Sequence, residues 1–109
     1  MTSDDIIEAL QRQKQQIEEH LPDLFSQCQN EAERAALTNA YAQATRQWND
    51  AVNRALRINS PLLVKLASDL GTLQDEIAGM IARADDLGAV LNKIATAIMI
   101  GSKILMIAK

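Results

Sequence analysis

The chain has 109 residues, a net charge of −3, one cysteine, and only three aromatic residues within a 48% hydrophobic share. That length gives one domain with one modest core, and an apolar share made mostly of Ala, Leu and Ile, with two prolines and four glycines, points to an all-α fold of long helices and few loops. Cys28 stands alone, which excludes an intramolecular disulfide and fits a reducing compartment.

The charge is uneven. Residues 1–86 hold 14 acids and eight bases, whereas residues 87–109 hold three lysines and no acid. A nucleic-acid binder shows a dense basic face. Here Arg46, Arg54 and Arg57 fall on one side of a helix among Asn49, Asp50 and Asn53, so no nucleic-acid partner is expected. The start, MTSDDIIEAL, is acidic and has no apolar core. No cleavable signal peptide is expected, and the setting is cytoplasmic or at a membrane, peripheral or inserted.

The first helix starts at Thr2 and Ser3, where a hydroxyl can cap free N–H groups and Asp4 and Asp5 suit the positive end of the helix dipole. Ile7, Leu10, Ile17, Leu21, Leu24 and Cys28 recur at heptad-like spacing, with Lys14 interrupting. The run QRQKQQ, residues 11–16, reads as a solvated face. Pro22 lacks an N–H and clashes with the turn before it, so the helix spans about 3–28 with a kink or short break near Pro22.

The second helix covers 30–58. Its seam is Leu37, Tyr41, Ala44, Trp48, Ala51, Ala55 and Ile58, with alanines that admit a close neighbour. The turn INSP, 58–61, follows: Asn59 suits the left-handed position, Ser60 an N-cap and Pro61 the first helical position. From Leu63 a heptad register runs to the end of the chain. Its a and d positions include Leu63, Leu66, Leu70, Leu73, Ile77, Met80, Leu87, Leu91, Ile94, Ile98 and Leu105, and none of its positions is polar. The preferred reading is one helix over 61–108, an antiparallel bundle or coiled-coil hairpin of three long helices. The alternative is four helices with a break near 85–88, where Asp85 or Asp86 could cap a new helix and Gly88 weakens the old one.

The three-helix reading creates a problem of cover. A helix over 61–108 is roughly 70 Å long, and one over 30–58 covers only about 40 Å of it. Residues 1–86 form an amphipathic bundle, but 87–109 are apolar nearly all round. Val90, Met99, Ile100, Ile104, Met106 and Ile107 lie off the seam. Left in water, six such side chains forfeit roughly 9–18 kcal/mol, an upper bound, which rivals the stability of a domain. Three covers are available: a fold-back at 85–88, a homo-oligomer or helical partner protein, or a membrane. Lys93 and Lys103 interrupt the segment, and a lysine at the bilayer centre costs about 2.5–3.5 kcal/mol, although snorkelling softens that and the positive charge suits an anionic lipid surface. Ala97 and Gly101 form a small-xxx-small pair that permits close helix contact.

No catalytic constellation emerges. His20 sits beside Glu18 and Glu19 without a metal-ligand spacing. Cys28 reads as a buried apolar thiol, with no orienting group that would make it a nucleophile. Adjacent acid pairs point about 100° apart on a helix and cannot act as paired carboxylates. No phosphate loop, zinc spacing or nucleophile elbow is present. The expectation is a single-domain, non-enzymatic interaction protein without cofactor, metal or small-molecule substrate. Its contact residues with a second copy, a partner or a membrane are Leu87, Val90, Leu91, Ile94, Ile98, Met99, Ile100, Ile104, Leu105, Met106 and Ile107. The alternative function is a membrane-inserting or membrane-lying protein of pore-forming or anchoring type that uses 87–108.

Overall fold

A computed structural model describes residues 2–58 and 60–108 and shows four helices: α1 (Ser3–Gln27), α2 (Glu31–Asn53), α3 (Pro61–Ala82) and α4 (Leu87–Ile107). No described residue lies in a strand. The starts follow the capping chemistry. Thr2 and Asp5 form a reciprocal capping box, Asn30 accepts from the Glu33 N–H, and Ser60 caps α3 with Pro61 in its first turn. Asn59 lies outside the described residues.

Three boundaries differ from the preferred reading. First, α1 runs unbroken through Pro22. Pro22 and Glu18 are both exposed, so water can serve the Glu18 carbonyl that loses its partner. Second, α2 stops at Asn53 rather than 58, and Arg54 is already extended. Leu56 and Ile58 pack against the core from the connection, where the Arg57 N–H donates to the Ala108 carbonyl at 2.8 Å. Tertiary burial there outweighs the helical periodicity of the sequence. Third, 61–108 is not one helix. Ala84 takes a left-handed conformation, φ 54°. The Asp85 N–H donates to Met80 O at 2.9 Å and the Ala84 N–H to Ile81 O at 3.1 Å. These are the two bonds of a Schellman stop. Asp86 then caps α4 by accepting from the Ala89 N–H. The four-helix alternative is therefore the fold.

Gln13 meets Gln47 and Glu18 meets Tyr41, so α1 and α2 are antiparallel. Gln47 reaches Ile98 and Arg54 reaches Leu105, so α2 and α4 are parallel. Lys93 meets Glu76 across the antiparallel α3–α4 hairpin. Around the bundle the order is α1, α2, α4, α3, with α1 and α4 meeting across the centre and the 54–60 connection crossing the other diagonal. The molecule measures 43 × 23 × 18 Å.

The buried seam of α1 is Ile6, Leu10, Gln13, Ile17 and Leu24. QRQKQQ is therefore not wholly a solvated face. Gln13 follows Leu10 by three and precedes Ile17 by four, and it sits at 2% exposure. In α2 and α3, Leu37, Leu63, Leu66, Leu70 and Ile77 are buried, while Tyr41, Trp48, Leu73 and Met80 are half-buried against the core. Ala55 is exposed in the connection.

Candidate interaction surface

α4 has an inner and an outer face. Leu87, Val90, Ile94, Ile98, Ile104 and Leu105 are buried inside the chain's own bundle. The fold-back thus covers six of the eleven side chains expected to meet a partner or lipid. Leu91, Ile100 and Ile107 are half-buried. Met99 and Met106 remain 60% and 68% exposed. Ala97 and Gly101 are also buried, so their close-contact role is spent within the molecule. Gly101 admits the Gln47 side chain: a Cβ there would collide with the Gln47 amide and lie 3.2 Å from Leu10 Cδ2.

A polar layer, which sequence reasoning missed, holds α4 in register. Gln13 Nε2 donates to Gln47 Oε1 at 2.8 Å. Gln47 Nε2 donates to the Ile98 carbonyl and to Ser102 Oγ, each at 2.9 Å. Gln74 Nε2 donates to Ala9 O at 2.9 Å, and Gln16 Nε2 to Gln74 O at 2.7 Å. Gln13, Gln47 and Gln74 are at most 7% exposed, and each bond reaches a different helix. Burial favours pairing of such amides, and every one of these Nε2 groups has a partner, whereas Gln13 Oε1 is buried without one. The signal was spacing: each glutamine continues its helix's buried seam. Further along, Arg54 Nη2 donates to Leu105 O at 2.9 Å while bridging Asp50 at 3.1 Å. It thereby serves a carbonyl in the last turn of α4.

The outer face carries Met99 and Met106 beside Asn92, Thr96 and Lys103. Lys93 reaches across to Glu76 at 3.2 Å. A shallow cleft runs alongside, between Ala36, Asn39, Ala40 and Gln43 of α2 and Ala95, Ile98 and Met99 of α4. Val52, Leu62 and Val64 are the other exposed large apolar residues among those described. They sit near the 54–60 connection.

The chemistry-bearing residues stay apart. His20 lines a shallow cleft with Arg12, Gln16 and Ala78. Cys28 lies at the turn end near Glu33, Asp85 and Asp86, and its thiol donates to Leu24 O at 3.4 Å. Among the described residues no group of three or more His, Cys, Asp or Glu is placed to hold a metal. Comparison of the chain with known protein families, characterised proteins and solved structures returned no match. The surface must be read from its own chemistry.

Proposed function

We propose that this protein is a non-enzymatic helical assembly module whose contact surface is the outer face of α4. The supporting observation is the pair Met99 and Met106, one heptad apart on a single face of a helix whose remaining large apolar residues are buried or half-buried. Two exposed methionines forfeit at most roughly 3–6 kcal/mol, far less than six uncovered side chains. That is a modest surface for reversible association rather than an aggregating one. Methionine is adaptable and recurs on protein-binding surfaces. Light scattering of the detergent-free protein tests this reading. A discrete species larger than the monomer, reduced to monomer by Met99→Asp or Met106→Asp, supports it. A monomer at all concentrations that also fails to bind helical partners contradicts it.

A second reading rests on a separate observation: Leu87–Ile107 is long and apolar enough to cross a membrane and contains no acid. In this reading the bundle shields α4 until an anionic lipid surface is met. Sedimentation with anionic vesicles tests it. Lys103→Leu strengthens vesicle binding if α4 enters the bilayer and weakens it if α4 only lies on the anionic surface.

A further inference from the structure

The outer face of α4 carries a second heptad seam, distinct from the one that builds the core. Gly88, Asn92, Ala95, Met99, Ser102 and Met106 follow one another at alternating spacings of four and three, the spacing of a coiled-coil contact line. Gly88 is half-buried and the other five are exposed. The seam is also self-complementary about residue 97. When a second α4 is laid antiparallel with residue 97 of both copies at the centre, Met99 meets Ala95, Met106 meets Gly88 and Asn92 meets Ser102. Every long apolar side chain then faces a small residue, and the two polar residues face each other. Ser102 Oγ accepts from Gln47 Nε2 at 2.9 Å, which leaves its O–H to donate to the Asn92 amide oxygen of the second copy.

Charge agrees with this register. A two-fold axis across the helices keeps α3 of both copies on the same side of the pair. Lys103, six residues from the centre, falls opposite position 91 of the second copy. Glu76 of that copy, held on Lys93 at 3.2 Å, lies two residues away, about 3 Å of helix rise. Each Lys103 approaches the Lys93–Glu76 ion pair of the second copy, where Glu76 can be shared between two lysines, and the two Lys103 side chains stand about 18 Å apart along the axis.

We propose that the partner of this face is a second copy of the chain, joined through an antiparallel, two-fold α4–α4 contact centred on residue 97. The proposal rests on the assembly reading above and names its partner and register. Exchanging sizes across the axis tests it. Wild type should scatter as a dimer, twice 12.0 kDa. Ala95→Met sets methionine against methionine, and Met99→Ala leaves small against small. Each should raise the dimer dissociation constant by about tenfold, whereas the double variant restores the large-on-small match and most of the affinity. Positions 95 and 99 are exposed, so thermal unfolding of the four proteins should coincide at concentrations too low to populate the dimer. A discrete oligomer indifferent to these changes, or a double variant no better than the singles, overturns the register but not the assembly reading. A monomer at every concentration up to the solubility limit overturns the self-contact, and the assembly reading falls with it only if no helical partner binds either.

Discussion

α2 and α4 lie side by side, parallel and nearly equal in length, yet they hold their places by different means. α2 buries Leu37, Ala44, Gln47 and Ala51 and turns a polar, alanine-rich face to water. Its seam is mostly small. α4 buries eight residues and touches the other three helices. Its all-round apolar character, which would be a liability on the long hairpin arm, suits a helix that meets three neighbours. The comparison teaches that a helix apolar nearly all round needs cover on several sides, and that whatever exceeds the cover available becomes surface. In α4 that excess is Met99 and Met106.

Five substitutions, one of them used in combination, break or sharpen the contrast between the faces. The largest effect is expected from Ile98→Asp. An unpaired carboxylate placed at a buried position should cost about 4 kcal/mol or more and unfold much of the protein, read by circular dichroism. Seen only by mass, loss of an oligomer in this variant would report unfolding rather than a broken contact. Gly101→Ala should come next. Its Cβ forces the Gln47 amide away from Ile98 and Ser102, and after the gain in helix propensity a net loss of about 1–2 kcal/mol should remain in urea unfolding. With Gln47→Ala in the same chain, the two losses should sum to less than their parts. Ala84→Gly should stabilise by roughly 0.5–1 kcal/mol, because glycine relieves the left-handed backbone. In an uninterrupted helix the same change would destabilise by a similar amount, so the sign decides. The smallest effect belongs to the outer face: Met99→Asp should alter the midpoint by less than about 0.5 kcal/mol while abolishing association.

Much of the fold was legible in the sequence. Thr2 with Asp5 and Ser60 with Pro61 mark helix starts through side chains that satisfy specific backbone donors, a local effect that needs no tertiary knowledge. The apolar spacing placed Leu63, Leu66, Leu70 and Ile77 on one face. What stayed hidden depended on distant parts of the chain. The break before α4 was legible as the alternative reading, through Asp85, Asp86 and Gly88, but Ala84 itself gives no warning of a left-handed stop. The heptad register passes through it undisturbed, and the nearest glycine, Gly88, lies inside α4. The end of α2 at Asn53 is dictated by where Leu56 and Ile58 find cover. The buried glutamines look like solvent residues until Gln13 is paired with Gln47, 34 positions away. The outer seam of α4 was obscured for the same reason: while 61–108 reads as one arm, every apolar side chain after Leu87 competes to be the contact, and only the fold-back separates Met99 and Met106 from the rest.

The central claim is that α4 folds back on α3. The most direct test is a distance between spin labels at Val64→Cys and Lys103→Cys, in a Cys28→Ser background and diluted with unlabelled chain to suppress distances between molecules. A hairpin turning at Ala84 brings these sites to the same level, within the 23 Å width of the bundle plus the reach of the labels. An uninterrupted helix would hold them about 58 Å apart, and that result would contradict the account.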